Sequence, residues 1–331
     1  MIFSKITDSI GNTPLLEIPI KFSDSYFYLK NEKNNPGGSM KDRMARNMVV
    51  QALKSGKLNL DGTIIESSSG NTAIGLAIAA QELGMRFIAI VDHHAAPDKI
   101  KIMCAFGAEI KFIEGDYKED EVAVVARQKL GAELAKEIPN SMFMNQSDNP
   151  DNPGGYTGFV DELLEEFENG PDAYVGCVGT GGSITGIGKG LKAFRKDIKI
   201  IGVEPDGSIV FGQPGHPYYQ SGTGTPKGDE IGKVLEYDCI DLGLQATDSE
   251  AFVTARYFAK NFGVLIGGSS GGAIYKALEL ISTNTISGNI VTPIVDGGEK
   301  YLNTIFDDEW MESRNLLSSN IIENLDNWID K

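Results

Sequence analysis

A lysine that closes a glycine-rich turn is the part of this sequence best suited to chemistry. The run Asn-Pro-Gly-Gly-Ser-Met-Lys covers residues 35–41, and the polar run Ser-Ser-Ser-Gly-Asn-Thr covers residues 67–72. At the start of a helix, burial and the helix dipole disfavour the charged form of Lys41, and Schiff-base formation requires the neutral amine. The two loops predict an enzyme that holds a carbonyl cofactor on Lys41. An exposed lysine in the first helical turn is the alternative.

A second glycine-rich turn is suited to holding phosphate. Gly179, Thr180, Gly181, Gly182 and Ser183 follow an apolar run and precede a helical pattern. Glycines let backbone amides turn towards an anion, and a helix N-terminus favours negative charge. The dinucleotide pattern GxGxxG fails because isoleucine stands at its last glycine, and the P-loop pattern fails as well. We expect a cradle for a monophosphate cofactor, with a plain tight turn as the alternative.

A third turn, at residues 267–271, has the nucleophile-elbow pattern GxSxG. A serine hydrolase of that fold needs a histidine downstream of the serine, but His93, His94 and His216 all lie upstream of Ser269. We therefore expect Ser269 to serve as a hydroxyl partner for a buried heteroatom. Adjacent side chains of an extended segment point to opposite faces, so the two neighbouring histidines do not predict a metal site.

Apolar runs that alternate with helical patterns predict how these turns are positioned. Such alternation indicates βαβ units and an α/β fold with mostly parallel sheets flanked by helices. Ligands bind beyond the carboxyl ends of parallel strands, and the turns at 67–72, 179–183 and 267–272 are predicted to lead there from a strand into a helix. Strands are predicted at residues 63–65, 86–91, 109–113, 173–178, 198–203 and 289–295. Helices are predicted at residues 42–54, 72–83, 97–106, 119–137, 158–168, 183–194, 249–261 and 272–281.

Length and composition narrow the class of protein. With 331 residues the chain is long enough for two lobes, and prolines and glycines at residues 145–156 suggest the boundary. A net charge of −16 argues against a nucleic-acid partner. No secretory signal opens the sequence and no apolar run could span a membrane, so we expect a cytoplasmic protein without a membrane partner. Cys104, Cys177 and Cys239 form no CxxC pair, which argues against disulfides and zinc.

Two segments carry no motif. Residues 212–233 are rich in glycine, proline and tyrosine and show neither helical nor strand periodicity. A connection of this length is usually a functional loop or a disordered one. After residue 307 the tail is acidic and amphipathic, which predicts a docking helix or a frayed end.

Together these motifs resemble the fold-type II pyridoxal-phosphate enzymes of the cysteine synthase and cystathionine β-synthase family. The resemblance covers nearly the whole chain, and the order and spacing of the motifs make it specific. It implies a two-lobed, tryptophan synthase β-like fold. Residues 1–44 and 149–331 would form a large cofactor-binding domain, and residues 45–148 a small mobile substrate-loop domain. The matching features are Gly-Asn-Thr-Pro-Leu at 11–15, the runs at 35–43 and 69–72, Gln146, and the runs at 179–183, 202–205 and 267–271.

The resemblance also implies a role for each matching residue. Lys41 would hold pyridoxal 5'-phosphate as a Schiff base and then act as general acid and base at the substrate α-carbon. Asn71 would bond the ring hydroxyl, and Ser269 would face the ring nitrogen. The cofactor phosphate would lie on residues 179–183. The substrate carboxylate would be bound by Ser68, Ser69, Thr72 and Gln146.

A serine that faces the ring nitrogen favours one type of reaction. Unlike an aspartate, a neutral serine does not hold a proton on that nitrogen, so the ring is a weaker electron sink. Loss of a leaving group from the β-carbon is then favoured over a long-lived carbanion. The expected function is β-replacement on a serine- or cysteine-type amino acid by a small nucleophile. Cysteine synthase, which converts O-acetylserine and sulfide to cysteine and acetate, is the first choice.

Departures from the sulfhydrylase pattern keep other reactions open. Met40 and Ser147 stand where sulfhydrylases usually carry valine and phenylalanine, and residues 204–208 resemble the cystathionine β-synthase and diaminopropionate-precursor branches. The alternatives are a sulfide-releasing enzyme that consumes L-cysteine, a cystathionine β-synthase-like enzyme, a diaminopropionate-precursor synthase, and a serine/threonine dehydratase or racemase. A non-catalytic partner-binding subunit is the alternative from another class. The family further suggests a homodimer.

Overall fold

Ten strands form two sheets in the computed structural model, which describes residues 2–93, 95–115 and 124–330. The strands are Leu15–Ile18 (β1), Ser25–Asn31 (β2), Thr63–Ser67 (β3), Arg86–Val91 (β4), Glu109–Phe112 (β5), Ser141–Phe143 (β6), Ala173–Cys177 (β7), Lys199–Pro205 (β8), Leu242–Ala246 (β9) and Gly288–Ile294 (β10). The larger sheet has the order β1-β2-β10-β7-β8-β9, and the smaller sheet has the order β5-β4-β3-β6.

Helices lie between and around these strands. None of the described helices combines the length and apolar composition that crossing a bilayer requires. The α-helices of the described residues are Lys41–Lys54 (α1), Asn71–Leu83 (α2), Pro97–Ala105 (α3), Val124–Glu137 (α4), Asp151–Gly154 (α5), Thr157–Glu166 (α6), Gly182–Phe194 (α7), Asp248–Phe262 (α8), Gly268–Ser282 (α9), Asp308–Ser313 (α10) and Ser319–Trp328 (α11). Single 3₁₀ turns occupy Ile6–Ser9, Glu32–Asn34, Tyr237–Cys239 and Gly298–Tyr301.

Parallel pairing places the ends of the strands where the sequence predicts the site. All pairs of the smaller sheet are parallel, and among the described pairs of the larger sheet only β1 with β2 is antiparallel. Ile294, the last residue of β10, lies beside Asn31, the last residue of β2. Cys177 at the end of β7 lies beside Val203 of β8. The loops that follow β2, β7 and β10 therefore leave the sheet at one edge, and the α/β class with mostly parallel sheets is confirmed.

Helices α8 and α9 pack unusually closely against each other. A Cβ at Gly271 would lie 2.0 Å from the backbone oxygen of Ala251, so only glycine allows this approach. Helix α8 begins with a capping box between Thr247 and Glu250, and it ends at Gly263, whose φ of +65° favours glycine. Helix α8 therefore supports the start of α9 along its buried side.

The predicted elements agree with the structure in most places. All six predicted strands are present, with ends that differ by at most two residues. The predicted helices agree to the same extent, except for the helix at 272–281, which begins four residues earlier. The start of the helix predicted at 119–137 lies outside the described residues, as does His94. Strands β1, β2, β6 and β9 were missed because they are short or carry polar residues and glycine within them.

Three segments differ from the prediction or were left open by the sequence. The prediction that a strand precedes the turn at 267–271 is wrong: α9 follows α8, and the connection contributes one isolated bridge, between Ile266 and Gly297. The glycines there serve close helix packing, so α9 begins at Gly268 instead of residue 272. Residues 212–233 contain neither helix nor strand. The tail docks, because α11 packs on α8 and α9.

Candidate active site

Loops from the two sheets meet where the carboxyl ends of their strands face each other. The loop after β10 carries Asp296, and the loop after β3 leads to Asn71. Asn71 Nδ2 donates a hydrogen bond to Asp296 Oδ2 at 2.8 Å. The Met40 N–H donates to Val295 O at 2.9 Å, which attaches the turn before Lys41 to the same loop. The structure thus brings Lys41 and Asn71 together around the end of β10.

Lys41 is the first residue of α1 and its side chain is half-buried. Burial lowers the pKa of the Lys41 ammonium, against the Cys177 thiol and the Asp296 carboxylate, which raise it. A lowered pKa increases the fraction of neutral amine, which is the form that attacks a carbonyl. The environment of Lys41 is therefore suited to a Schiff-base lysine.

The side-chain amide of Asn71 is held from two sides. Lys300 Nζ donates to Asn71 Oδ1 at 2.8 Å, and it also donates to the backbone oxygens of Gly37 at 3.1 Å and Gly38 at 3.2 Å. On the other side, Asp296 Oδ2 accepts from Asn71 and from the Tyr301 hydroxyl, at 2.8 and 2.7 Å. No described residue hydrogen-bonds the second oxygen, Asp296 Oδ1, although it is buried. Asp296 Oδ1 can therefore still accept a hydrogen bond.

The residues expected to bind a carboxylate lie at the ends of β3 and β6, which are neighbours in the smaller sheet. Thr72 Oγ1 donates to Gln146 Oε1 at 2.7 Å. Ser68 Oγ accepts the Gly70 N–H at 3.2 Å, while Ser69 lies on the same connection between β3 and α2. Hydroxyls, an amide and the first amides of α2 are thus presented together, a combination of donors that suits an anionic group.

The glycine-rich turn at 179–183 joins β7 to α7. Gly181 has a φ of +95°, and a Cβ on Gly182 would lie 2.1 Å from Asn152 Oδ1, so both positions require glycine. The Thr185 N–H, bonded to Gly181 O at 3.0 Å, is the first to be used inside the helix. The amides before Thr185 have no partner inside α7 and, with the helix dipole, suit a phosphate.

Ser269 connects this turn to the lysine. It is the second residue of α9, it is buried, and its side chain forms a hydrogen bond with Cys177 at the end of β7. Burial raises the pKa of the Cys177 thiol, against the charge of Lys41 and the hydrogen bonds of Ser269 and Thr223, which lower it. Lys41, Ser269 and the start of the glycine-rich turn consequently share one neighbourhood.

Two buried carboxyl groups lie directly behind these residues. Asp42 accepts the Gly37 N–H at 2.5 Å, and burial raises the pKa of Asp42 to about 7. Glu66 accepts the Gln146 N–H at 3.3 Å, and burial raises the pKa of Glu66 to about 8. Both carboxyl groups therefore take up or release protons near neutral pH, next to the lysine turn and next to the expected carboxylate site respectively.

Sequence reasoning missed a group of residues that the structure places beside the predicted ones. Lys99, on α3, lies with its Nζ 4.7 Å from the centre of the Tyr301 ring and is 8% exposed. The run Asp-Gly-Gly at 296–298 directly follows a predicted strand, which is a signal that could have identified it. Lys99 gives no such local signal. The missed residues are Asp42, Glu66, Lys99, Cys177, Asp296, Lys300 and Tyr301.

The two described histidines, His93 and His216, contact other residues. His93 stacks on Phe112 of β5 with ring centres 6.4 Å apart, and His216 is exposed beside Asp206. Within residues 2–93, 95–115 and 124–330, no group of three or more His, Cys, Asp or Glu side chains is arranged to hold a metal ion.

Comparisons with known proteins agree on one family. Residues 6–296 match the family described as "Pyridoxal-phosphate dependent enzyme". A protein of Sinorhizobium fredii named "Putative cysteine synthase" is 61% identical over 329 residues, which is 99% of this chain and 98% of that protein.

Two solved structures have the same fold. O-acetylserine sulfhydrylase isoform 3 from Entamoeba histolytica superposes with a TM-score of 0.85 at 30% identity, covering 96% of this chain and 97% of that one. A hydrogen sulfide-producing enzyme from Fusobacterium nucleatum superposes with a TM-score of 0.85 at 32% identity, covering 91% and 99%.

Proposed function

The chain belongs to the pyridoxal-phosphate-dependent enzymes, and we propose that it catalyses β-replacement on O-acetylserine, with sulfide as nucleophile and cysteine and acetate as products. The observation that carries the proposal is the convergence of Lys41, Asn71 and Ser269 at one edge of the larger sheet, beside the glycine-rich turn. Similarity at 61% identity to a protein named as a cysteine synthase supports the choice of reaction.

The residues present fit the cofactor. The amides that precede Thr185 and the dipole of α7 would hold its phosphate, at a turn that only glycines can form. Asn71 has an amide hydrogen beyond the one donated to Asp296, and it would donate that hydrogen to the ring hydroxyl. Ser269 would face the ring nitrogen, and Lys41 would bind the aldehyde carbon. The donor set is therefore suited to a phosphorylated pyridine aldehyde.

Bound pyridoxal phosphate supplies an aldehyde that condenses with amines and a ring that withdraws electrons from the substrate α-carbon. The amine of Lys41 would take the proton from the substrate α-carbon and later return one there. Its lowered pKa suits this exchange near neutral pH, because an amine that is partly neutral can both accept and donate.

The expected carboxylate site would orient the substrate for this proton transfer. Ser68, Ser69, Thr72 and Gln146 would bind the α-carboxylate, and the hydrogen bond between Thr72 and Gln146 keeps two of these groups together. The neutral Ser269 donates no full charge to the ring, which favours loss of the β-substituent over a long-lived carbanion.

A second reaction rests on the same residues. We propose release of sulfide from L-cysteine as the second candidate, because the structure of a hydrogen sulfide-producing enzyme superposes with a TM-score of 0.85. In that reaction the thiol leaves as sulfide. Water or another small nucleophile then reacts with the remaining part of the substrate. Both candidates require the same α-proton transfer by Lys41 and differ in the β-substituent.

Organisation and location are part of the proposal. We infer a large cofactor-binding domain at residues 1–44 and 149–331 and a small mobile domain at residues 45–148, supported by the division of the strands between two sheets at the same places. The protein would act in the cytoplasm as a homodimer, with small-molecule substrates as its partners.

Replacing the lysine tests the proposal most directly. The wild-type protein should bind pyridoxal phosphate with a visible absorption band, and Lys41→Ala should lose the covalent attachment and at least about 10²- to 10⁴-fold in turnover. Lys54→Ala, at the exposed far end of α1, is the control and should keep both. A Lys41→Ala protein with wild-type turnover would reject the proposed role.

A spectral screen with O-acetylserine, O-phosphoserine, serine and cysteine should then separate the donors. A donor that reacts should change the visible band, and product analysis with added sulfide would identify the acceptor step. A response to cysteine together with none to O-acetylserine would favour the second candidate.

A further inference from the structure

Lys300 is the residue that decides how Asn71 presents its amide. Its ammonium forms three hydrogen bonds, to Asn71 Oδ1 at 2.8 Å and to the backbone oxygens of Gly37 and Gly38 at 3.1 and 3.2 Å. An ammonium group has three donors and no acceptor, so these three bonds use its full capacity. Lys300 is therefore a fixed donor and not a free cation.

The two neighbours of the Asn71 amide accept only one orientation. Lys300 can only donate, so it requires the oxygen Oδ1 on its side. Asp296 Oδ2 accepts from Asn71 Nδ2 at 2.8 Å, so it requires the nitrogen on the other side. A side-chain amide is nearly symmetric in shape, and its neighbours are what distinguish the oxygen from the nitrogen. Without Lys300, half of this discrimination is lost.

The orientation matters for the proposed cofactor. The amide nitrogen carries two hydrogens, of which Asp296 takes one, and the second remains for a ligand oxygen. A flipped amide would present its oxygen to the ring oxygen of the cofactor, and two acceptors would then face each other. The charge of Lys300, one hydrogen bond away, would also polarise the amide and strengthen its remaining donor.

The same ammonium also ties Asn71 to the reactive lysine. Gly37 and Gly38 form the turn that precedes Lys41, and Gly38 has a φ of +69°. Lys300 therefore connects the amide on α2 with the turn before α1, across 229 residues to Asn71 and 262 to Gly38. The distance between the amine of Lys41 and the amide of Asn71 is set partly by this one side chain.

We propose that Lys300 is a positioning residue that fixes Asn71 as a hydrogen-bond donor to the ring oxygen of the cofactor. The proposal rests on the cofactor role proposed for Asn71, and it goes further by assigning the orientation of that amide to a residue that binds Asn71 and the turn before Lys41.

The test measures the bound cofactor and not turnover. Purified Lys300→Met, Lys300→Arg and Lys99→Met proteins would be titrated with pyridoxal phosphate after removal of bound cofactor, and the visible spectrum of each would be recorded from pH 6 to pH 9. We expect Lys300→Met to weaken cofactor binding by about 10- to 100-fold, as expected for loss of a charge-assisted hydrogen bond, and to shift the visible band. Lys300→Arg keeps a donor and should restore most of the affinity.

Lys99→Met is the matched control for charge. It removes one ammonium from the same neighbourhood, and no described hydrogen bond joins Lys99 to Asn71. We expect a smaller spectral change than that of Lys300→Met. Equal changes in the two variants would assign the effect to charge alone and overturn the proposal.

A double-mutant cycle separates positioning from a purely structural role. If Lys300 acts through Asn71, then Lys300→Met should change neither spectrum nor affinity further in an Asn71→Ala background. An undiminished effect in that background would show that Lys300 only supports the turn before Lys41, and would overturn the proposal. If Lys300→Met does not fold by circular dichroism, Lys300→Ala, which also lacks a donor, carries the same comparison. A wild-type protein that binds no pyridoxal phosphate would instead reject the proposed function.

Discussion

Two clusters of buried charge flank the first turn of α1, and their hydrogen bonds are satisfied to different degrees. The Arg43 cluster consists of Lys30, Glu32, Arg43 and Glu162. The Asn71 cluster consists of Asn71, Lys99, Asp296, Lys300 and Tyr301. Both lie close to Lys41 in the sequence or in space, and both contain basic side chains opposite carboxylates. The comparison separates charge that stabilises the fold from charge that is available to a ligand.

Every charged side chain of the Arg43 cluster faces at least one side chain of opposite charge. Arg43 donates to both oxygens of Glu32, at 2.6 and 2.8 Å, and to both oxygens of Glu162, at 2.7 and 2.9 Å. Lys30 pairs with Glu162 at 2.6 Å, and the Thr13 hydroxyl donates to Glu32 at 2.6 Å. Against burial, which raises it, the hydrogen bond and the charge of Arg43 lower the pKa of Glu162 to about 2. Among the described residues, every buried side-chain nitrogen and oxygen of this cluster has at least one hydrogen-bond partner.

The Asn71 cluster keeps unused capacity. Asp296 Oδ1 is buried without a hydrogen-bond partner among the described residues. Lys99 rests on the Tyr301 ring, and no described residue forms a hydrogen bond or an ion pair with its ammonium. Burial lowers the pKa of Lys99, against the Asp296 carboxylate, which raises it. Incomplete pairing of buried charge is costly, so it marks the place where a ligand is expected to complete the network.

Breaking the paired cluster should have the largest effect on stability. Arg43→Met leaves two carboxylates, Glu32 and Glu162, without their main partner, and we expect a loss of about 3–5 kcal/mol in the free energy of unfolding. Urea denaturation of the cofactor-free protein measures this. Arg46→Met, in an exposed pair with Asp8, is the control and should cost less than about 1 kcal/mol. Similar losses for both variants would contradict the comparison.

Asp42 should have the next largest effect, on the pH dependence of the free energy of unfolding. Burial raises the pKa of Asp42 from 3.8 to about 7, so the folded protein binds this proton more tightly than the unfolded chain does. The stabilisation is fully present below pH ~4 and is lost as the pH rises through about 7, for a total of up to about 4 kcal/mol. Asp42→Asn removes this titration.

The measurement is the free energy of unfolding from pH 4 to pH 8 in wild type, Asp42→Asn and the exposed control Asp8→Asn. Wild type and the control should lose stability relative to Asp42→Asn over this range. Parallel curves for all three proteins would show that Asp42 does not titrate between pH 4 and 8.

Replacing Lys99 should have the smallest effect on the free energy of unfolding. The effect should have the opposite sign from that of Arg43→Met. Lys99→Met replaces a buried ammonium that lacks a hydrogen bond by an apolar side chain of similar length, so the cofactor-free protein should be unchanged or stabilised by about 1 kcal/mol. Urea denaturation under the conditions used for Arg43→Met measures the difference. A loss comparable to that of Arg43→Met would place Lys99 among the stabilising charges.

Local patterns in the sequence point to one half of the candidate site but not to the other. Lys41 and the turn at 179–183 could be predicted because a glycine-rich run and an adjacent helix start are visible within ten residues of sequence. Lys99 and Lys300 could not, because their roles depend on contacts with Tyr301 and Asn71, which are 202 and 229 residues away. Long-range contacts of this kind leave no periodicity in the sequence.

Among the strands, too, some could be predicted from the local sequence and others could not. The predicted strand Arg86–Val91 is a continuous apolar run after its arginine, and its bounds agree with the structure. Strand Ser25–Asn31 is polar at both ends, and Leu242–Ala246 contains a glycine, so neither has a strong pattern of its own. Both are strands because they pair with β10 and β8, respectively, and pairing is a property of the sheet.

The hydrogen bond between Thr72 and Gln146 has a consequence for how tightly a substrate can bind. In the structure these two side chains restrict each other through a hydrogen bond of 2.7 Å. A carboxylate that enters must exchange this bond for its own, which limits the enthalpy it gains. In return, two side chains that are already ordered lose little conformational entropy on binding. If Thr72 and Gln146 bind the substrate as proposed, a small amino acid would be recognised by exchange of contacts between side chains that are already ordered.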